Sequence, residues 1–173
     1  MIRALVLAAL LAIAGAAQAR NADTAKVEVA FTPGDDISDL IARRIGCSRE
    51  NVRMQAYLFT DRHIAGALFA ALRRGVAVEI VGDAAQFETG GLPWLAPLGR
   101  AGARVYLNTG HAASHNKIVI VDGATVITGS YNFTQAAQAR NAENVVVISG
   151  NRALAQRFVT NFERHRDQSA PWP

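Results

Sequence analysis

The stretch SHNKIVIVDGATVITGSYN, from Ser114 to Asn132, holds two short apolar runs that are joined by Asp-Gly. Both runs are rich in β-branched residues, as buried strands are, and Asp-Gly is a strong signal for the turn of a β-hairpin. The residues His, Lys, Ser and Asn lie at the outer ends of the two runs. The stretch therefore predicts an antiparallel hairpin with polar side chains at its open end.

The alternation of side chains along a strand predicts how these polar groups are arranged. The simplest register has a two-residue turn, which pairs Lys117 with Thr128 and His115 with Ser130. Directly opposed residues point to the same face. This register therefore predicts one face that carries four polar side chains: His115, Lys117, Ser130 and Asn132. A shift of one residue would divide the set between two faces, and the residue pattern alone does not decide the register.

These four side chains suit chemistry on a phosphodiester. An imidazole can attack phosphorus or carry a proton near neutral pH, and a nearby ammonium stabilises negative charge on phosphoryl oxygens. A hydroxyl and an amide can orient the phosphate and the imidazole by hydrogen bonds. The region has no pair of carboxylates spaced for a metal. We therefore expect hydrolysis of a phosphodiester without a metal and without another cofactor.

The pattern His115-x-Lys117-x4-Asp122-x6-Gly129-Ser130-x-Asn132 resembles the HKD signature of the phospholipase D superfamily. The segments QAYLFTDRHIAGALFAALRRGVAVEIVGD, before the motif, and NAENVVVI, behind it, are similar to those of the small exported endonucleases of bacteria within that superfamily. The likeness covers most of residues 26–165 and is to proteins with a single motif. It implies a phospholipase D/nuclease-like fold.

The resemblance also implies roles for the motif residues. His115 would be a nucleophile that forms a covalent phosphohistidine, which water later hydrolyses. Three residues would hold the phosphate: Lys117, Ser130 and Asn132. Glu143 matches the acidic residue that hydrogen-bonds the catalytic histidine in the family.

The aspartate of the motif does not fit a role in the chemistry. Asp122 lies five residues beyond Lys117, which at ~3.3 Å per residue of strand places it ~16 Å away. We therefore assign Asp122 a structural role at the turn, where it could pair with a basic side chain. Gly129 is likewise assigned to the structural part of the motif.

The implied mechanism uses two copies of the motif, and this chain has one. The other histidines, His63, His111 and His165, lack a lysine two residues further on. We therefore expect a homodimer with a shared active site, because an isologous interface brings the same residue of both chains together. His111, in the loop before the motif, could line the cleft or be an ordinary loop residue.

Outside the hairpin, strand-like and helix-like segments alternate. We predict strands at Lys26–Thr32, Asn51–Phe59, Ala77–Val81, Arg104–Leu107, Lys117–Val121, Thr125–Ser130 and Val145–Ile148. We predict helices from Asp35 or Asp36 to Gly46, from Thr60 to Gly75, up to Gly99 after a loop at Phe87–Pro93, at Thr134–Asn141 and at Arg152–Arg166. Helical crossovers predict parallel pairing and the hairpin adds antiparallel pairing. The expected fold class is therefore α/β, with a mixed, mostly parallel-plus-hairpin β-sheet between α-helices.

The start of the chain, MIRALVLAALLAIAGAAQA, has the features of a secretory signal peptide: Arg3, an apolar run and the cleavage pattern Ala17-Gln18-Ala19. The run is short for a membrane span of ~20 residues. We therefore expect a signal peptide at residues 1–19 and one nuclease domain at residues 20–173. The mature protein would be periplasmic or secreted, with no stable membrane insertion after cleavage.

The composition narrows the candidate functions. The net charge of +4 is compatible with a polyanionic partner, and the single cysteine, Cys47, excludes an internal disulfide.

The leading hypothesis is a sequence-nonspecific endonuclease that acts on DNA or RNA, since contacts to phosphate carry no base information. One alternative is a phospholipase D that hydrolyses phosphatidyl head groups. Against it stand the small size, the single motif and the lack of an amphipathic lipid-docking segment. Another alternative is an inactive nucleic-acid-binding module, against which the complete motif argues.

Overall fold

Eight strands and six helices make up residues 24–172, the part of the chain that the computed structural model describes. In chain order they are β1 (Lys26–Thr32), α1 (Ile37–Gly46), β2 (Asn51–Ala56), α2 (Arg62–Arg73), β3 (Ala77–Asp83), α3 (Ala84–Glu88), α4 (Leu95–Arg100), β4 (Arg104–Asn108), β5 (Lys117–Val121), β6 (Thr125–Gly129), α5 (Gln135–Arg140), β7 (Glu143–Ser149), α6 (Arg152–Asp167) and β8 (Ser169–Pro171). The predicted signal peptide lies outside the described residues. Within them, no helix has the length and apolar character needed to cross a membrane.

Most elements lie close to where the residue pattern predicts them, but β3 continues to Asp83, β7 already begins at Glu143, and three further details differ. β2 ends at Ala56 and not at the predicted Phe59. Phe59 lies outside the ladder, and the N–H of Phe59 donates to the carbonyl of Gly91 at 2.9 Å. The short helix α3 begins before the predicted loop, since the carboxylate of Asp83 caps it through the N–H of Gln86. The short strand β8, which follows α6, was not predicted.

All eight strands form one mixed sheet in the order β1-β7-β6-β5-β2-β3-β4-β8. The prediction of a mixed sheet is confirmed, and β2, β3 and β4 are the parallel neighbours that the helical crossovers predict. The crossover from β1 to β2 does not produce a neighbouring pair. β1 lies at the edge of the sheet and pairs antiparallel with β7, because β7 and the β5–β6 hairpin occupy the space between β1 and β2.

Helices cover both faces of the sheet. On one face, α1, α2 and α4 contribute fully buried side chains to the larger core, among them Ile37, Ile41, Ile64, Leu68, Leu95 and Leu98. On the other face, Ala155, Val159 and Phe162 of α6 pack against the central strands. Two apolar layers therefore fix the central strands, as expected for strands with apolar residues on both faces.

The hairpin register differs from the simplest prediction by one residue. Val121 pairs with Thr125, whereas the predicted two-residue turn pairs Val121 with Ala124. The turn comprises residues 122–124. Two of its residues have positive φ: Asp122 at 51° and Gly123 at 59°. A glycine at this position avoids the steric cost of a side chain in the left-handed region.

The contacts of Asp122 supply the physical reason for this register. Its carboxylate accepts hydrogen bonds from the backbone N–H groups of Arg49, Glu50 and Asn51 at 2.9 to 3.2 Å. The turn is thereby attached to the start of β2 and does not depend on the Asp-Gly dipeptide alone. Partial burial acts to raise the pKa of Asp122, but the three N–H groups and the charge of Arg49 together hold that pKa below its usual value of 3.8.

The one-residue shift also corrects the predicted partners of the motif residues. The β5–β6 ladder ends at the pair Ile118 and Thr128, so the pairing of His115 with Ser130 is wrong. Ser130 follows the last residue of β6, and its N–H donates to the carbonyl of Asn144 in β7 at 3.1 Å. The residues at the open end are therefore held by three strands and not by the hairpin alone.

A substitution of Gly129, the last residue of β6, tests how tightly this end of the sheet is packed. A Cβ atom on Gly129 would overlap the carbonyl group of Asn144, which is backbone and cannot rotate away. We expect Gly129→Ala to lower the free energy of unfolding by more than about 2 kcal/mol, measured by urea denaturation. The control is Gly66→Ala in α2, where a Cβ meets no atom within 4 Å. That change should leave stability unchanged or raise it by about 0.5–1 kcal/mol. Equal midpoints for Gly129→Ala and the unsubstituted protein would contradict the packing described.

Candidate active site

The predicted site residues lie at one end of the sheet. Lys117, the first residue of β5, pairs with Ala56, the last residue of β2. Gly129, the last residue of β6, pairs with Val145 near the start of β7. The amino ends of β5 and β7 thus meet the carboxyl ends of β2 and β6. In open α/β sheets, ligands bind outside the carboxyl ends of the parallel strands, and this is that end of the sheet.

His115 and Lys117 are in direct contact. The Nζ atom of Lys117 lies 3.0 Å from Nδ1 and 3.3 Å from Nε2 of His115, and it donates to the His115 carbonyl at 2.8 Å. An ammonium has only donors, so in any hydrogen bond between the two side chains the imidazole nitrogen is the acceptor and directs its lone pair at Lys117. His115 is exposed and Lys117 is buried. The pair therefore presents an imidazole at the surface with a positive charge directly behind it.

The charge state of Lys117 depends on its surroundings. Burial lowers the pKa of Lys117 below the usual value of 10.5, and the negative charge of Glu143 acts in the opposite direction. An ammonium removed from water interacts more strongly with anions than a solvated one does. Lys117 is consequently suited to bind phosphoryl oxygens, provided that Glu143 keeps it protonated.

Ser130 and Glu143 form a second group of contacts. The hydroxyl of Ser130 donates to Oε2 of Glu143 at 2.5 Å, and the side-chain amide of Asn141 donates to Oε1 at 2.9 Å. The backbone N–H of Asn144 donates to the Ser130 hydroxyl at 3.0 Å. The predicted hydrogen bond from the His115 ring to the Glu143 carboxylate is not made within the described chain, where Ser130 and Asn141 are the side-chain donors to Glu143. Glu143 acts on Lys117 through its charge.

Asn132 completes the predicted set at the same end of the sheet. Its Oδ1 atom is buried and has no hydrogen-bond partner among the described residues. Its backbone carbonyl accepts from the N–H of Thr134, the cap residue of α5. A buried polar atom without a partner is costly, and such atoms in native proteins often have a ligand or water in the functional state. An amide oxygen only accepts, so Oδ1 suits a donor such as water or an imidazole N–H, whereas a phosphate would be bound by the NH₂ group of the same amide.

Tyr57 belongs to the site although the motif does not contain it. The rings of Tyr57 and His115 have centroids 4.4 Å apart, and the Lys117 ammonium lies 5.2 Å from the centroid of Tyr57. The electron-rich ring face attracts a cation at this distance. Tyr57 directly follows β2. Its position at the carboxyl end of a parallel strand is the one sequence signal that could have identified it.

The remaining candidates lie apart from this group of contacts. Asp122 lies at the turn, at the opposite end of β5 from Lys117. His63 is exposed, with Nε2 3.3 Å from a carboxylate oxygen of Asp39. His111 contacts the ring of His165 at a centroid distance of 5.0 Å. Within residues 24–172, no three or more His, Cys, Asp or Glu side chains are grouped so that they could hold a metal ion.

Comparisons with known proteins agree with the motif. A family model described as "Cardiolipin synthase, PLD-like domain" matches residues 41–166. A phospholipase D of Rickettsia felis is 40% identical over 137 residues, which cover 79% of this chain and 68% of the relative. A mitochondrial cardiolipin hydrolase of Xenopus laevis is 29% identical over 134 residues, which cover 78% of this chain and 62% of the relative.

A solved structure provides the comparison of folds. The crystal structure of Nuc, a phospholipase D family member from Salmonella typhimurium, superimposes with a TM-score of 0.79 at 34% sequence identity. The match covers 86% of this chain and 99% of Nuc. The shared fold, the family match over 41–166 and the complete motif lead to one conclusion. The chain belongs to the phospholipase D superfamily of phosphodiester hydrolases.

Proposed function

We propose that this phosphodiesterase is a metal-independent, sequence-nonspecific endonuclease of DNA or RNA. It would be exported and would act as a homodimer whose two chains share one active site. His115, Lys117, Ser130, Asn132 and Glu143 carry the chemistry in this proposal. The observation that supports the chemistry is the contact between the exposed imidazole of His115 and the buried ammonium of Lys117.

The reaction proceeds in two displacements at phosphorus. An imidazole nitrogen of His115 attacks, a P–N bond forms, and the bond from phosphorus to the leaving oxygen breaks. His115 of the partner subunit gives its proton to that leaving oxygen. Water then attacks the phosphohistidine and gives a proton back to the second imidazole, while the P–N bond breaks and restores the nucleophile. Lys117 stabilises the charge on the phosphoryl oxygens in both steps.

The proposal of a shared site is supported by the presence of a single HxK motif in the sequence. The sequence contains one HxK motif, so a second imidazole at the site requires a second chain. His115 is exposed and therefore accessible to a partner. The carboxylate of Glu143 makes no hydrogen bond to His115 of its own chain. Twofold symmetry would bring the imidazole of each chain to the site of the other.

A groove beside the site favours a nucleic acid as the substrate. Asn116, the residue between His115 and Lys117, lines a groove of about 520 Å³ between the sheet and α6. Arg157, Phe158 and Asn161 of α6 line the same groove. Guanidinium groups bind the phosphate backbone, and aromatic rings stack on bases without regard to sequence. The groove thus offers contacts of the kind that a nonspecific nuclease uses, and Asn116 connects it along the chain to His115 and Lys117.

A phospholipase D activity is the second candidate, and one surface feature favours it. Val27, Val29 and Phe31 on the edge strand β1 are 62%, 54% and 55% exposed. Exposed apolar rows of this kind occur at lipid and protein contacts. The size of the chain does not separate the two candidates, since the match spans 68% of a Rickettsia felis relative that is named phospholipase D.

Parallel assays in excess chelator distinguish the two activities. We expect the protein to nick plasmid DNA and to leave vesicles of phosphatidylcholine and of cardiolipin intact. His115→Ala should lower the cleavage rate by at least ~10³-fold, because it removes the nucleophile. His63→Ala, a change at an exposed histidine outside the site, is the matched control and should retain full activity. Head-group release without DNA cleavage would favour the second candidate, and loss of cleavage in chelator would contradict metal independence.

Mixing experiments test the shared site. Unsubstituted and His115→Ala chains are unfolded together, refolded at different ratios and assayed with plasmid DNA. If each site needs one imidazole from each chain, activity per unsubstituted chain falls in proportion to the unsubstituted fraction, to about one tenth at a ninefold excess of His115→Ala. A constant activity per unsubstituted chain would show that each chain works alone.

The pH profile of kcat/KM tests the role of the Lys117 charge. Because burial lowers the pKa of Lys117, activity should decline with rising pH at a value below 10.5. The charge of Glu143 acts to raise that pKa, so Glu143→Gln should move the alkaline decline to lower pH. Glu50→Gln, at the other end of β2, is the control and should leave the profile in place. A decline that stays at the same pH in Glu143→Gln would argue against the electrostatic role of this carboxylate.

A further inference from the structure

A buried carboxylate outside the motif contacts the segment that carries His115. Asp83, the last residue of β3, is 3% exposed. Its Oδ2 atom accepts from the backbone N–H of Ser114 at 2.7 Å, and its Oδ1 atom accepts from the N–H of Gln86 at 2.9 Å. Ser114 is itself buried and directly precedes His115. Each oxygen of this carboxylate therefore holds a different segment of the chain.

The second segment, which carries Gln86, is connected to the imidazole of His115 through Tyr57. The side-chain amide of Gln86 donates to the hydroxyl of Tyr57 at 3.0 Å. The ring of Tyr57 packs against the ring of His115, with centroids 4.4 Å apart. Oδ2 of Asp83 thus binds the backbone directly before His115. Oδ1 of Asp83 binds Gln86, which is connected to the imidazole through Tyr57.

The segment before His115 needs such an attachment. Residues 109–116 form no helix or strand, and Ala112 and Ala113 are exposed, so little side-chain packing holds this part of the loop. Its earlier half is held by His111, whose Nδ1 lies 2.9 Å from the side-chain oxygen of Asn108. Among the hydrogen bonds that hold the loop before His115, the one from Ser114 to Asp83 is nearest to His115 along the chain. A small displacement of a reacting group can lower the rate by ~10²-fold.

We propose that Asp83 is a positioning residue that fixes both the backbone and the ring of His115, with Gln86 and Tyr57 as the connection to the ring. The proposal rests on the proposed role of His115 as the nucleophile. Asp83 itself does not touch the substrate. Its position at the carboxyl end of β3, next to β2, places it one strand away from the site.

Asp83→Asn tests the proposal because asparagine has one acceptor oxygen where the carboxylate has two. The amide NH₂ must face one of the two N–H groups, so one attachment is lost. We expect kcat for bis(4-nitrophenyl) phosphate to fall about 10- to 100-fold with KM changed less than about twofold. This small phosphodiester is used so that the result does not depend on whether DNA or lipid is the natural substrate.

Asp61→Asn is the matched control. Asp61 is also 3% exposed and also caps a helix that follows a strand. It uses a single oxygen, Oδ1, for the N–H groups of His63 and Ile64, and asparagine can replace that contact. Asp61→Asn should keep the kcat of the unsubstituted protein. An unchanged kcat in Asp83→Asn, measured well below its unfolding temperature, would overturn the proposal.

A double-mutant cycle tests the connection through the ring. Tyr57→Phe removes the hydroxyl that accepts from Gln86 and keeps the aromatic ring, and Gln86→Ala removes the donor. Since both changes break the same hydrogen bond, each should lower kcat several-fold and the double variant should be no slower than the slower single variant. Fully additive losses would show that Gln86 does not act through Tyr57.

Proton NMR of the histidine rings gives a readout that is independent of activity. The chain has four histidines, and the His115 resonances are assigned by their absence in His115→Ala. The Tyr57 ring should shift these resonances, and Asp83→Asn should reduce the shift while Asp61→Asn preserves it. Unchanged His115 resonances in Asp83→Asn would overturn the positioning role. Full activity of His115→Ala would instead refute the proposed function, and the NMR result would still stand.

Discussion

The carboxylate of Asp122 accepts hydrogen bonds from three successive backbone N–H groups at the start of β2, and this contact determines where the β5–β6 hairpin lies. A carboxylate that accepts several N–H groups is a strong, charge-assisted acceptor. Because the turn is attached at one end of β2, Lys117 lies beside Ala56 at the other end. The site is therefore built at the far end of the strand from the residue that fixes it. Asp122 is part of the motif for this structural reason, although it is too far away to touch a substrate.

The electrostatics of the site follow from the different burial of Lys117, the first residue of β5, and His115, which lies in the loop before it. Lys117 points into the protein and His115 is exposed, so the charge is desolvated while the nucleophile stays accessible. Glu143 compensates the buried charge through space and simultaneously accepts from Ser130 and Asn141. A single chain thus brings one imidazole and one desolvated ammonium together at this end of the sheet.

The sequence predicts local features well where one residue has one physical role. Asp36 and Asp61 cap helices as their positions before apolar periodic segments suggest, and the Asp-Gly dipeptide marks the turn. The proximity of His115 and Lys117 was predictable because they are two residues apart at the start of β5, although the structure places His115 in the loop before the strand. The register was not, because it depends on hydrogen bonds between Asp122 and residues more than seventy positions away.

For Tyr57 and Asp83 the residue pattern gives no more than a position near the end of a strand, for a related reason. The pattern predicts Tyr57 as part of a strand, whereas it directly follows β2, and Asp83 is the cap residue of α3. Their second role appears only when the neighbouring parallel strands place their carboxyl ends beside the loop before β5. The edge position of β1 was equally inaccessible, since the chain pattern does not show that three strands are inserted between β1 and β2.

The two outer strands of the sheet give it two unlike borders. β8 is three residues long and closes the β4 side, so that border offers few unpaired backbone groups to another strand. β1 is seven residues long and has exposed apolar side chains, which is the form of edge that invites strand addition. Lys26 and Glu28 alternate with this row and belong to the opposite face of β1, and the N–H of Phe31 is occupied by the carboxylate of Asp35. The two borders therefore differ both in length and in apolar surface: the three residues of β8 form one, and the seven residues of β1, with three exposed apolar side chains, form the other.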